Sequence, residues 1–311
     1  MTSCLKPEIL MTGAGGYVGA PTVRALVALG YHVHVMGRKD PNIADTTFHS
    51  VDLLQETDLR AKIEETGATA LLHLAWSVTP GKFWTDLVNC DWVAASLRLF
   101  RAFTEAGGQR IVGIGSCAEY DWSASSRMTE NISPICPGTL YGKAKAGLWS
   151  LLEAIGQQEG LAVAWARLFF LYGPGEPRGK LVSDAINTLL AGQMFATTSG
   201  LQKRDFIHVE DAGAALAALV RSPVTGPVNI ASGQSIAVRE LLSHVAEAIQ
   251  ADDLIDFGSR SLAKGEPMEL VANIDRLRDE VGFTPRMSLT EGIARTVEWW
   301  RNKAPVGRGE K

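Results

Sequence analysis

A chain of 311 residues can bury a full core and has room for one large domain plus a smaller lobe. Its 46% hydrophobic and 21% charged residues suit a water-soluble globular protein, and a net charge of −4 without a Lys/Arg block argues against nucleic-acid or anionic-membrane partners. The N-terminal run "MTSCLKPEILMTGAGG" is too short in its apolar part to span a membrane and lacks a signal-peptide pattern, so a cytoplasmic protein is expected.

"EILMTG" (8–13) reads as a first strand and 16–30 as a helix; "YHVHVMG" (31–37) and "FHSVDL" (48–53) read as the second and third strands. Residues 55–66 follow as a helix, "TALLHLA" (69–75) as a strand, 84–106 as a long helix and "RIVGIGS" (110–116) as a strand. A helix over 139–158 leads into "LAVAWARLFFLYG" (161–173), read as one strand ending in a turn. Strands that are nearly all apolar, joined by helices, predict a parallel sheet covered on both faces, the doubly wound α/β architecture. After "YGPGEPRG" (172–179), Pro and Gly become dense and strands short ("RDFIHV", "GPVNIAS"), with helices at about 181–191, 209–221, 236–250 and 288–302. The expected division is a Rossmann domain over 1–175 and a smaller, mainly substrate-binding lobe over 176–311, some segments returning to the main sheet. The tail "VGRGEK" is expected to fray. Four scattered cysteines (Cys4, Cys90, Cys117, Cys136) form no metal-ligand spacing, which suits free thiols in a reducing compartment. Six histidines are dispersed along the chain, so no metal is expected.

"MTGAGGYVGAP" falls where the first strand meets the first helix, with glycines at Gly13, Gly16 and Gly19. Gly13 permits a tight turn, Gly16 lets backbone approach a pyrophosphate and Gly19 lets helix pack on sheet; Tyr17 and Val18 belong to the same expected cofactor contact. Val18 stands where a G-x-G-x-x-G pattern places its last glycine. The second strand ends in Gly37-Arg38-Lys39 rather than in the acid that receives the ribose 2′-hydroxyl of NAD, so Arg38 favours NADP(H), with NAD(H) as the alternative.

"TLYGKAKAG" puts Tyr141 and Lys145 on one helix face, where a lysine can lower the phenol pKa for proton exchange with a substrate oxygen. Upstream, "RIVGIGSCAEYDW" brings Ser116, Cys117, Glu119 and Tyr120 to the end of a strand, and these residues alone leave open which carries chemistry.

Together "TGAGGYVG" (12–19), "VDL" (51–53), "HLAW" (73–76), Asn89, "GSCAEY" (115–120), "YGKAK" (141–145), "RLFFLYGPG" (167–175), "RDFIHVED" (204–211) and "NIASGQSIAVREL" (229–241) give a chain that resembles an extended short-chain dehydrogenase/reductase, of the NAD(P)-dependent nucleotide-sugar epimerase/dehydratase kind, over nearly its whole length. The resemblance implies that Tyr141 is the acid/base, that Lys145 binds the nicotinamide ribose, and that Ser116 hydrogen-bonds the reacting oxygen. It implies adenine contacts from Asp52 and Leu53, cofactor contacts from Leu74, Ala75, Trp76 and Asn89, and a grip on the substrate diphosphate by Arg204. Cys117, Glu119 and Lys180 join Arg204 as expected substrate contacts, and a homodimer through the helices at 84–106 and 139–158 is the family's habit.

Departures narrow the reaction. The dehydratases' Asp-Glu pair after the catalytic Ser/Thr is Cys117-Ala118 here; Phe170 replaces the Asn of galactose-type 4-epimerases, and Trp92 replaces a small glycine. What remains implies an NADPH-dependent ketoreductase acting on a nucleoside-diphosphate 4-keto-6-deoxy-sugar. The alternatives are a redox-neutral 4-epimerase with retained NAD and, further off, a dehydratase or a non-catalytic cofactor sensor.

Overall fold

A computed structural model describes residues 6–303; Cys4 and the tail "VGRGEK" lie outside the described residues. The first half runs β1 (Glu8–Thr12), α1 (Gly19–Ala28), β2 (His32–Gly37), β3 (Thr46–Ser50), α2 (Arg60–Glu64), β4 (Ala70–His73), α3 (Val88–Glu105), β5 (Arg110–Ser116), the short β6 (Arg127–Met128) and α4 (Leu140–Glu159). Then come β7 (Ala162–Leu168), β8 (Phe170–Tyr172), α5 (Leu181–Leu190), β9 (Phe195–Thr197), β10 (Lys203–Arg204), β11 (Phe206–His208), α6 (Val209–Arg221) and β12 (Gly226–Ile230). β13 (Ile236–Ala237), α7 (Val238–Ile249), β14 (Ile255–Phe257), β15 (Glu269–Ala272) and α8 (Leu289–Lys303) complete the chain.

Seven strands form one parallel sheet in the order β12-β7-β5-β4-β1-β2-β3. Alternate side chains of one strand point to opposite faces. Ile9 and Met11 therefore pack with Val23 and Leu26 of α1 and with Leu216 and Leu219 of α6. Leu10, between them, packs with Leu99 and Phe103 of α3 and Leu148 and Leu152 of α4. This is why the middle of β1, Ile9-Leu10-Met11, is apolar at successive positions rather than at every second one. A third core, with Ile186 of α5, Leu242 of α7 and Val297 of α8, packs these three helices together in the second half of the chain, the part expected to form the smaller lobe. None of the described helices is long and apolar enough to cross a membrane.

Strand order reverses between β1 and β4, the place where an open α/β sheet leaves a crevice at its strands' C-terminal ends. His73 clamps that point: Nδ1 meets Thr12 Oγ1 at 2.7 Å and Nε2 meets Ser96 Oγ at 2.8 Å. Burial depresses its pKa to about 3, so the imidazole is a neutral staple between β1, β4 and α3.

The strand expected over 161–173 divides at Phe169. β7 stays in the main sheet, while β8 pairs with β11 in a separate two-stranded sheet. Phe169 N–H donates to Ile230 O and Phe170 N–H to Asp205 O, so the backbone changes partner within one residue. "RDFIHV" also breaks, at Asp205, whose buried carboxylate accepts from Ser232 N–H and Oγ–H, Gly233 N–H and Ala272 N–H. The helix expected from residue 84 begins at Val88, after a turn in which Asp86 Oδ1 accepts from Val88 N–H.

Candidate active site

A cleft of about 1110 Å³ runs along the C-terminal ends of the sheet strands and under the smaller lobe. Its floor is the β1–α1 loop. Gly13 has φ +75°, and a Cβ there would lie 2.7 Å from Ala75 N; a Cβ on Gly19 would lie 2.7 Å from Ala14 O. Only glycine fits either place. Gly16 N–H donates to Gly13 O at 3.0 Å, closing the turn, and α1 begins with no side-chain cap and no acid in its first turn. That leaves the positive end of the helix open to a phosphate, and the loop's backbone is shaped for a dinucleotide.

Around this floor the cleft wall includes Tyr17, Val18, Gly37, Arg38, Lys39, Asp52, Leu53, Leu74, Ala75 and Trp76, followed by Ser116, Cys117, Tyr141 and Lys145. Lys180 and Arg204 close it from the lobe. Asn89 is not on the wall. It is fully buried, donates to Phe83 O and Asp86 O, and accepts from Trp76 Nε1–H at 2.8 Å, so it shapes the loop behind Trp76 instead of meeting the cofactor as expected.

The "GSCAEY" segment resolves into two directions. Ser116 caps a single 3₁₀ turn, Cys117–Glu119: its Oγ accepts from Ala118 N–H while its own N–H donates to Glu119 Oε1 at 2.8 Å. The turn leaves Ser116 and Cys117 on the cleft and sends Glu119 and Tyr120 inward. Glu119 is 0% exposed, pairs with Arg167 Nε–H at 2.8 Å and accepts from Trp165 Nε1–H at 2.9 Å. The expectation that Glu119 touches substrate is therefore corrected: its carboxylate is the counter-ion of a buried guanidinium. Tyr120 donates to Asn229 Oδ1 and accepts from Arg167 Nη1–H, and it does not line the cleft.

Tyr141 lies in the first turn of α4, which Thr139 caps by accepting from Gly142 N–H. Its ring meets Phe83 edge-to-face at 5.0 Å. Burial pushes the phenol pKa up, and the hydrogen bond with Ser116 opposes that rise. Lys145 Nζ donates to Ile114 O at 2.9 Å and lies 3.5 Å from the centroid of the Trp76 ring. The lowering of the phenol pKa by Lys145, expected from their spacing, is not what governs Tyr141 here: desolvation dominates both groups and brings Lys145 down to about 7. Burial also lifts the Cys117 thiol to about 12, leaving it protonated near neutral pH.

Arg204 is engaged on the wall, donating to Glu266 Oε1 at 2.7 Å and to Lys203 O. Glu176 escaped the sequence reading. It is 4% exposed, faces the cleft, accepts from Ser183 N–H at 2.7 Å, and burial raises its pKa to about 8. Its position in the Gly/Pro-dense "YGPGEPRG" gave only a turn signal, with no spacing to mark it.

A family model described as the NAD dependent epimerase/dehydratase family matches residues 9–231. The chain belongs to that family. It is thus an NAD(P)-dependent enzyme of the extended short-chain dehydrogenase/reductase type. A UDP-glucose 4-epimerase of Azospirillum brasilense is 26% identical over 98% of this chain and 95% of its own length. A dTDP-glucose 4,6-dehydratase of Streptomyces griseus is 27% identical over 97% and 99%. The structure of MoeE5 in complex with UDP-glucuronic acid and NAD superimposes with a TM-score of 0.80 at 27% identity, covering 95% of this chain and 99% of that one.

Two outcomes follow for this epimerase/dehydratase-family site. Glu119→Gln leaves Arg167 buried without its counter-charge and should cost about 3–5 kcal/mol of stability by denaturant titration, with Glu119→Gln/Arg167→Met recovering much of it. A loss of turnover at unchanged stability would return Glu119 to the chemistry. For Lys145, the unfolded chain holds the proton up to about 10.5 and the folded chain only to about 7. The unfolded state binds more protons between these values, so stability rises with pH there. Lys145→Met should flatten that rise relative to wild type; an identical pH profile of the two proteins would refute it.

Proposed function

We propose that this protein reduces the 4-keto group of a nucleoside-diphosphate 4-keto-6-deoxy-sugar, using NADPH. The observation that carries the reading is the wall at the end of β2, where Arg38 and Lys39 both line the cleft while Asp40 does not. Two cations and no acid at that point suit a 2′-phosphate rather than a free ribose hydroxyl. The bound cofactor supplies the hydride. Tyr141 holds the proton delivered to the carbonyl oxygen, and Ser116, its Oγ held by the 3₁₀ cap, donates to the same oxygen. Lys145, in the dry pocket under Trp76, faces the ribose side of the cleft. The turn at Cys117–Glu119 offers no second base, because Glu119 is paired inward and the Cys117 thiol is protonated; this supports a single proton transfer over dehydration.

The second reading is a redox-neutral 4-epimerase with retained NAD, which needs the same Ser116, Tyr141 and Lys145. The Azospirillum relative's activity and the NAD bound by MoeE5 favour it. We also propose a homodimer through α3 and α4, the two longest helices, with Leu151 of α4 47% exposed for the contact. The free Cys90, Cys117 and Cys136 support a reducing cytoplasmic setting.

Purified protein given NADPH and freshly prepared NDP-4-keto-6-deoxyglucose should oxidise one NADPH per product formed. Interconversion of two NDP-hexoses without added cofactor would establish the epimerase instead. Tyr141→Phe should lower kcat by about 10²–10⁴-fold while leaving NADPH affinity intact. Arg38→Ala should raise the KM for NADPH by about tenfold or more, the worth of one charge-assisted bond, and leave that for NADH unchanged. Equal use of both cofactors, indifferent to Arg38→Ala, would overturn the NADPH assignment.

A further inference from the structure

Three of the six histidines, dispersed in sequence, meet on one face of the main sheet, near the N-terminal ends of β1 and β2 and away from the cleft. His32 and His34 are two apart on β2 and so project to the same side. The register places Glu8 of β1 beside His32 and Thr47 of β3 beside His34, which brings His49, two residues after Thr47, to that side as well. Ligand atoms of Glu8, His32 and His34 all lie within 4.8 Å of one another.

The hydrogen bonds around them are already divided in the manner of a metal site. His34 Nε2 is 3.0 Å from Glu8 Oε2, while its Nδ1 is 2.9 Å from His49 Nε2. His32 Nε2 is 2.9 Å from Thr47 Oγ1, which leaves Nδ1 as the ring atom free to ligate. In metal centres a ligating histidine characteristically has its other ring nitrogen held by an outer hydrogen-bond partner that fixes ring and tautomer. Here His49 and Thr47 supply that second contact. His34 is 8% exposed, so its ring is held between β1 and β3 largely out of water. Two imidazoles and a carboxylate form a donor set suited to a borderline divalent ion. With bonds of roughly 2.0–2.1 Å, tetrahedral ligand atoms sit about 3.3 Å apart, a spacing the His34–Glu8 pair already approaches and side-chain rotation of His32 can complete.

We propose that Glu8, His32 and His34 bind one divalent first-row transition ion, Zn²⁺ being the probe of choice, with His49 and Thr47 as outer partners and water in the remaining position. The ion takes the place of the proton in the His34–Glu8 hydrogen bond and ties β1 to β2 beside the edge strand β3. The site is separate from the cleft, so it serves stability of the sheet edge rather than the chemistry.

Chelator-treated wild-type protein should be titrated with ZnCl₂ by equilibrium dialysis, with thermal melts run with and without the ion. One Zn²⁺ per chain and a melting point raised by Zn²⁺ are expected. His34→Ala and Glu8→Gln should abolish or weaken binding at least tenfold and remove the shift in melting point. His49→Gln, which alters only an outer partner, should weaken it by about 10–100-fold. His32→Gln serves as a second ligand variant, and melts in excess chelator check that each variant is folded. Less than one Zn²⁺ per wild-type chain, or wild-type affinity in His34→Ala and His32→Gln, would overturn the site.

Discussion

The ion pair between Glu119 and Arg167 is the constraint around which the catalytic end of this molecule is built. Both groups are withdrawn from water, 0% and 2% exposed, so neither charge is tolerable without the other. Glu119 gathers Ser116 N–H, Trp165 Nε1–H and Arg167 Nε–H on one carboxylate. Arg167 in turn reaches Tyr120 OH and Glu130 O, Tyr120 donates to Asn229, and Glu130 accepts from Asn229 N–H. The network joins β5, β7 and β12 at their C-terminal ends, where ligands meet an open α/β sheet. Its consequence for chemistry is positional: the 3₁₀ turn closed by Glu119 holds Ser116 at the rim while the charge itself remains inside.

A second buried carboxylate does comparable work for the lobe. Asp205 collects backbone donors from the segment after β12 and from β15, so the main sheet and the lobe are joined through one side chain. That junction interrupts "RDFIHV" as a strand and sets Arg204 and Phe206 on the cleft side of the break. The cleft is thus bounded by two rigid charge networks, with a softer aromatic wall of Phe83, Trp84 and Trp76 between them.

Much of this was legible in the chain. The apolar runs, the glycine spacing at Gly13, Gly16 and Gly19 and the Tyr141/Lys145 interval are local signals, and each maps onto a strand, a loop or one helix face. Arg38 and Ser116 could be placed because a parallel sheet brings its strand ends to one edge, whereas Asp52, Leu74, Ala75 and Lys180, which also line the cleft, were placed by the family resemblance. Glu119, Asn89 and Glu176 could not. Glu119 is three residues from Ser116, and only the 3₁₀ turn decides that the two diverge. Asn89 reads as a cofactor contact until its amide is seen holding Phe83 O and Asp86 O. Glu176 gains its high pKa from burial that no turn sequence records.

Sequence alone determined the doubly wound parallel architecture, the glycine loop after the first strand and the placing of Tyr141 and Lys145 on one helix face, because these rest on period, glycine sterics and short spacing along the chain. Tertiary structure decided which charges face the ligand and which face each other. Glu119 meets Arg167 across two strands, Arg204 meets Glu266 across 62 residues, and His32, His34 and His49 converge only through strand register. The physical reason is that a side chain's charge state and direction are set by its neighbours' dielectric and hydrogen bonds, and those neighbours are brought close only by folding.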